Sequence, residues 1–282
     1  MPCSTPVHNT HPLDQIVSID VTFALKSRGH ILKLAGKIAL VTGGSRGIGR
    51  GIVEILAEEG ADVAVNYISN VVQAEEVAAW VRAHGRRAIT VQGDVASRAD
   101  VEAMVDKVWS DLGPIDLLVN NAGIETIVPF LELTDEQWTR LNDVNSRGPW
   151  LCSQVYCRRA IAEKRKGAIV HIGSIQAAKV LPGRTHYAPT KLGLEALSKN
   201  MSAEVAPLGI RVNTVHPGYF ETDMTVWIKD VPGATDMVLG QISLARSGDC
   251  RELGRAVAFF GSDEASYITG QSIHVDGGWA GK

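Results

Sequence analysis

The sequence predicts an α/β fold: one domain in which a seven-stranded parallel sheet is flanked by helices. Three observations carry this reading. Short apolar runs alternate with stretches of helical period from residue 36 onward, the pattern of successive βαβ units. A glycine-rich turn follows directly on the first run, the place where a doubly wound, Rossmann-type sheet binds a nucleotide. No linker, repeat or low-complexity tract interrupts the alternation, so a single domain accounts for it.

The elements follow in order. Lys37–Thr42 is the first apolar run, and a helical pattern continues to Gly60. Ala61–Asn66 is the second, followed by a helix over Val72–His84. Arg87–Gln92 and a helix over Ala99–Leu112 come next, then Ile115–Asn120. Thr134–Lys164 reads as one long helical region or two helices broken near Gly148-Pro149, since Pro removes an N–H from the helix ladder. Ala168–Ile172 is the fifth run. Leu192, Leu194, Leu197, Met201 and Val205 then recur near helical period, and Pro207-Leu208-Gly209 supplies the stop. Ile210–Val215 is the sixth run, and Ser272–Asp276 the seventh after a helix near Arg251–Gly261. Runs this apolar are buried on both faces, as parallel strands are.

Composition narrows the function classes. The 282 residues are 45% apolar, enough for a sizeable core, and carry a net charge of −3. With no strongly basic segment, nucleic-acid binding has no electrostatic support. No apolar run approaches the roughly 20 residues needed to span a bilayer. Cys3, Cys152, Cys157 and Cys250 form no CxxC pair, so they read as reduced thiols in a cytoplasmic protein without a metal site. Residues 1–35 read as a flexible N-terminal extension of a 36–282 catalytic domain, because MPCSTPVHNTHPLDQ is rich in Pro, His and Thr. The stretch IVSIDVTFAL within it is broken by Asp20 and lacks a basic flank, which makes a poor signal peptide. It reads as a short packed strand or as sequence upstream of the true translation start.

The turn Thr42–Gly49 places Gly43, Gly47 and Gly49 in a G-x3-G-x-G spacing. Glycines let the backbone approach a pyrophosphate, and the helix that follows offers unpaired N–H groups. Ser45, Arg46 and Ile48 fill the loop and are assigned to the same cofactor site. At the end of the second strand, NAD sites carry a carboxylate for the ribose 2′-OH, while an Arg accommodates a 2′-phosphate. This chain has Asn66-Tyr67 there and Arg46 nearby, which indicates preference for NADP(H), with NAD(H) still accommodated. The alternative is a solvated Arg46 and an Asn66 that serves either cofactor.

Tyr187 and Lys191 stand four apart, so a helix puts them on one face, about 6 Å apart along its axis. Pro189 between them is compatible with a first turn, where its missing N–H has no partner to lose.

The ordered set of motifs resembles the short-chain dehydrogenase/reductase superfamily over residues 36–280. It comprises TGGSRGIG at 42–49, Asp94-Val95, Asn120-Asn121-Ala122-Gly123, Asn145, Ser174, Tyr187-x-x-x-Lys191 and Pro217-Gly218. The resemblance implies a catalytic tetrad of Asn145, Ser174, Tyr187 and Lys191. It places Asp94 and Val95 against an adenine and Asn121, Ala122 and Gly123 beside the cofactor. Thr222, next to Pro217-Gly218, would contact the nicotinamide carboxamide or phosphate, and Tyr187 and Lys191 also touch the cofactor. It further implies a homotetramer or dimer, built on the helices of 134–164 and 187–208 and on the Asp276–Trp279 region. Pro189-Thr190 stands where many members have Ala-Ser, and is expected to alter packing only.

The chemistry expected of such a set is secondary alcohol–ketone interconversion by hydride transfer, with Tyr187 as general acid or base. An unperturbed Tyr has a pKa of about 10. A cation ~4 Å away at an effective dielectric of ~20 supplies ~4 kcal/mol, so Lys191 is expected to lower the phenol by about 3 units. Ser174 would hold the substrate oxygen. Residues 219–239 are where the family keeps a substrate lid, and Gln176, Leu181 and Trp227 are expected to line the substrate pocket, with His186 a wall or surface residue. Val-Asn-Tyr at 65–67, NNAGIE at 120–125 and EASYITG at 264–270 are similar to glucose dehydrogenases and to 3-oxoacyl-carrier-protein reductases. A ketoreductase using NADPH is the principal expectation. A sugar or polyol dehydrogenase is the alternative, and a non-catalytic cofactor-binding sensor or scaffold is the alternative of another class.

Overall fold

A computed structural model describes residues 32–282. Its seven strands are β1 (Ile38–Val41), β2 (Asp62–Tyr67), β3 (Ala88–Gln92), β4 (Leu117–Asn120), β5 (Gly167–Ile172), β6 (Ile210–Pro217) and β7 (Ser272–Val275). They form one sheet in the order β3-β2-β1-β4-β5-β6-β7, and every neighbouring pair is parallel. The seven apolar runs of the sequence all become strands.

The two faces of the sheet explain why the runs are continuous rather than alternating. Ala39 and Val41 of β1 point into one core layer, while Ile38 and Leu40 point into the other. Successive side chains of a strand alternate between faces, so a strand covered on both sides is apolar at every position. Helices α1 (Gly47–Glu58) and α2 (Val71–Ala83) cover the first face. Helices α3 (Arg98–Asp111) and, further on, α5 (Gly148–Ala162) cover the second. The helix Cys250–Gly261, here α8, returns to the first face and packs on α1.

The break expected near Gly148-Pro149 takes a specific form. Helix α4 (Asp135–Asn142) runs into a π-helical turn, Asp143–Arg147, before α5 begins. Such a widened turn re-aims the residues it holds and is common at functional sites. Asn145 sits in it. Helix α6 (Tyr187–Val205) opens on Tyr187, so Pro189 falls in its first turn as the sequence required.

Two features were not legible in the sequence. The segment after β6 contains a 3-10 turn, Val226–Asp230, and a short helix, α7 (Ala234–Gln241). Both pack with Ile175, Tyr219, Ile242 and Trp279 in a small separate core. Leu34 is fully buried in the first core layer, and its N–H donates to Glu59 O at 2.8 Å. The compact unit therefore begins at Leu32, ahead of the boundary read at residue 36. The remainder of the N-terminal extension, including Cys3 and Ile16–Leu25, lies outside the described residues.

Candidate active site

The chain leaves β1 toward β2 and β3, then crosses back to β4. A crevice opens at the carboxyl ends of the strands at such a reversal. Here a cleft of about 570 Å³ lies there, bordered by the glycine-rich loop, the ends of β2 to β6 and the segment after β6.

Two asparagines and a threonine shape its phosphate side. Gly43 N–H donates to Asn66 Oδ1 at 3.0 Å, and Asn66 Nδ2 donates to Val91 O and Gly93 O at 3.2 and 3.1 Å. Asn121 Nδ2 donates to Thr42 O and Gly43 O at 2.9 and 3.0 Å. Thr42 Oγ1 in turn accepts the N–H groups of Asn121 and Ala122, each at 3.0 Å. The loop is thus tied to β2 on one side and β4 on the other. Thr42 was not singled out from the sequence, since a strand-ending Thr carries no local signal of this role.

Asn66 lines the cleft. It is 2% exposed and both ends of its amide are spent on backbone. A side chain so committed shapes the glycine-rich loop through Gly43. Tyr67, next along the strand, is half-buried at the cleft edge.

The loop has the features a pyrophosphate needs. Gly43 and Gly47 have φ of +61° and +51°, a region that L side chains rarely adopt. A Cβ on Gly49 would lie 2.1 Å from Gly43 O. No side chain caps the α1 N-terminus, so its first N–H groups face Ser45, Arg46 and Ile48 without a competing protein acceptor there. Arg46 is exposed and pairs with Asp223 at 3.0 Å. These residues fit a dinucleotide. Asp94 and Val95 lie further along the cleft, where Val95 packs on Gly148 and Asp94 pairs with Arg140 at 3.2 Å.

The far end holds the titratable groups. Ser174, Tyr187 and Lys191 meet there, with Gly123, Pro217, Gly218 and Thr222 along the same cleft. Ser174 Oγ accepts Gln176 N–H at 3.2 Å, and the serine acts to lower the Tyr187 phenol. Ser174 N–H donates to His216 Nδ1 at 3.2 Å, which fixes the serine from behind. Lys191 Nζ donates to Ile172 O at 3.0 Å and stands 5.9 Å from the Tyr187 ring centre.

Asn145 is the tetrad residue that does not border the cleft. It is fully buried, its Oδ1 accepting Ile124 N–H at 2.9 Å and its Nδ2 donating to Ile124 O at 2.8 Å. A Cβ added at Gly123 would meet both Asn145 Oδ1 and Lys191 Nζ, so Asn145 lies directly behind the lysine. The π-turn aims it at the loop after β4, which it anchors.

The ionisation of Tyr187 runs opposite to the expectation. Burial pushes the phenol above its ordinary value, and the Glu125 carboxylate adds to this, against the Ser174 hydrogen bond and Arg184. Burial also lowers Lys191 to about 8, with Glu125 opposing. For the phenol, desolvation and the Glu125 charge together outweigh what Ser174 and Arg184 supply.

Lys191 therefore carries a stability cost. Its folded value lies below the ~10.4 of an unfolded chain. Between these values the unfolded chain binds the extra proton, so stability rises with pH across that window. Below pH 8 the full cost is present, about 3 kcal/mol from the shift. Lys191→Met leaves the Ile172 carbonyl without its donor, at about 1 kcal/mol. A net gain of about 1–2 kcal/mol at pH 7 is expected, fading toward pH 10. Urea denaturation at the two pH values measures it, and a variant less stable than the parent at pH 7 would refute the account.

Leu181, Gln176 and Trp227 also line the cleft. His186 is fully buried and bonded to Thr126 Oγ1 at 2.7 Å. Glu125 and Arg184, which the sequence reading passed over, also face this end. Among the described residues no cluster could hold a metal ion, and no helix is long and apolar enough to cross a membrane. Cys152 and Cys157 are buried free thiols, both pushed up to about 12 by burial.

The family model described as enoyl-(acyl carrier protein) reductase matches residues 43–280. The 3-oxoacyl-[acyl-carrier-protein] reductase of Staphylococcus aureus is 42% identical over 242 residues, 86% of this chain and 97% of that protein. A short-chain dehydrogenase/reductase of Serratia marcescens superposes with a TM-score of 0.82 at 37% identity, covering 88% of this chain and 99% of that one. The chain belongs to the short-chain dehydrogenase/reductase superfamily. As a member it is an NAD(P)-dependent oxidoreductase acting on CH–OH groups. A gluconate 5-dehydrogenase from Burkholderia cenocepacia, solved with NADP and tartrate, has a TM-score of 0.84 at 35% identity over 89% of this chain and 98% of that chain.

Proposed function

We propose that the protein is an NADP(H)-dependent ketoreductase that uses Tyr187 as its proton donor. The observation that carries this reading is the meeting of Ser174, buried Tyr187 and Lys191 at the end of a cleft whose glycine-rich loop is shaped for a dinucleotide.

NADPH, which the glycine-rich loop from Gly43 to Gly49 would hold, would supply the hydride for a substrate carbonyl. Ser174 holds the carbonyl oxygen by a hydrogen bond. As negative charge develops there, the Tyr187 phenol gives its proton to that oxygen. An alkoxide is a far stronger base than a phenolate, so a raised phenol still transfers downhill. The reverse reaction needs the phenolate, which burial and Glu125 both oppose. Lys191 holds the ribose side of the site and carries protons toward the phenol. Asn145 keeps the Ile124 loop in place beneath them. Arg46 is the group for a 2′-phosphate, supported by the Burkholderia cenocepacia relative solved with NADP.

Residues 219–239 act as a substrate lid in this reading. They contact the glycine-rich loop through Arg46–Asp223, and a Cβ on Gly47 would touch Thr222. A homotetramer is supported by the exposed apolar side chains Trp138 on α4, Trp150 on α5 and Leu192 on α6.

The test is nicotinamide absorbance with NADPH or NADP⁺ against ketones and 3-oxoacyl thioesters on one side and aldoses and polyols on the other. NADPH oxidation by ketones, with NADP⁺ reduction by alcohols far slower at pH 7, is the expected result. Turnover only in the oxidising direction would overturn the ketoreductase reading, and cofactor binding without turnover would favour a sensor or scaffold.

A further inference from the structure

The substrate end of the cleft contains a polar cluster that proton transfer does not require. Glu125 comes from the loop after β4, Gln176 from the turn after β5 and Arg184 from the turn before α6. Arg184 Nε donates to Glu125 Oε1 at 2.5 Å, with the two side chains only 8% and 10% exposed. Gln176 Nε2 donates to the same oxygen at 3.1 Å, and Arg184 Nη1 donates to Pro182 O at 3.2 Å. The guanidinium carbon stands 5.6 Å from the centre of the Trp227 ring.

What remains of these groups faces the cleft without a partner. Glu125 Oε2 and Arg184 Nη2 form no hydrogen bond among the described residues. Gln176 Oε1 is buried and also unpaired. A buried ion pair is poor support for a fold, because desolvation offsets its attraction and an apolar pair of the same volume does as well. Glu125 Oε2 and Arg184 Nη2, free on side chains that line the cleft beside the buried, unpaired Gln176 Oε1, instead offer hydrogen-bonding positions to a ligand.

We propose that Glu125, Arg184 and Gln176 select the substrate, and that it is a neutral polyhydroxylated ketone. The proposal rests on the oxidoreductase reading of the site above. A hydroxyl can donate to Glu125 Oε2 and accept from Arg184 Nη2 at once, and a second hydroxyl meets Gln176 Oε1. An alkyl or acyl chain leaves all three atoms desolvated and unpaired. A carboxylate ligand gains from Arg184 but meets the Glu125 charge, so the neutral pair favours a neutral ligand. The Trp227 face offers an apolar wall to the C–H side of the same molecule.

The test compares four-carbon substrates. The kcat/KM for NADPH-dependent reduction is measured with erythrulose, 2-butanone and an acetoacetyl thioester. The parent is expected to favour erythrulose over butanone by about 100-fold or more, as sites built on hydrogen bonds reject analogues that lack them. In Glu125→Leu/Arg184→Met, checked for folding by thermal unfolding, the ratio should collapse toward unity. Gln176→Leu keeps the ion pair and should lower the ratio by about 5- to 10-fold. A parent that prefers butanone or the thioester overturns the proposal. So does a loss of both activities by the same factor in the variants, which would make the cluster a structural brace. Calorimetric titration of the protein–NADP⁺ complex with erythritol against 1-butanol reads the same preference without turnover. If NADPH binds and no carbonyl is reduced, the oxidoreductase reading fails, while the erythritol titration still decides this one.

Discussion

Tyr187→Phe is expected to bind NADPH within a few-fold of the parent and to reduce ketones about 10³-fold more slowly. The loss is that of one general acid, typically worth about 10²- to 10⁴-fold. The ring stays in its packing, 5% exposed, and only the hydroxyl is removed. Lys191 keeps its bond to Ile172 O, and Ser174 keeps its contact with Gln176 N–H. Cofactor fluorescence titration and steady-state turnover separate the two effects. Near-normal turnover would mean that water or another group delivers the proton, and the assignment of Tyr187 would fall.

Gly49→Ala should do the opposite, leaving the proton donor intact and disabling the cofactor site. The added Cβ would lie 2.1 Å from Gly43 O and 2.6 Å from Asn121 Nδ2. Neither atom is free to retreat, since Asn121 is bonded to Thr42 O and Gly43 O. Relief requires moving the glycine-rich loop away from β4, which breaks the surface a pyrophosphate would rest on. Overpacking of this kind costs about 1–3 kcal/mol in stability. Affinity for NADPH is expected to fall by about 100-fold, about 2.7 kcal/mol. Thermal unfolding and calorimetric titration check both. Parent-like NADPH affinity would show that the loop does not carry the cofactor.

These two variants probe residues that the sequence singled out, Gly49 from its turn and Tyr187 from its spacing together with the family resemblance. Gly49 was legible because tight turns and close backbone approaches select glycine locally. Tyr187 and Lys191 were legible because helical spacing fixes which residues share a face. Other groups were misread or missed because their partners are distant in the chain. Asn66 was placed at the cofactor end of the second strand, but that its amide is spent on Gly43, 23 residues away, shows only in the fold. Asn145 reads as a site residue, yet a π-turn buries it behind Gly123. Arg184 lies in no motif and Glu125 only ends the NNAGIE run, since a pair 59 residues apart shows its meaning only when two loops meet.

The sequence by itself determined the α/β class, the number and order of the strands and the positions of the motifs at strand ends. Those follow from periodicity and turn chemistry, which act over a few residues. The tertiary structure decided which side chains face the cleft and in which direction Tyr187 and Lys191 are shifted. Burial and opposing charges set those shifts, and both depend on how β4, β5 and α6 pack around one point.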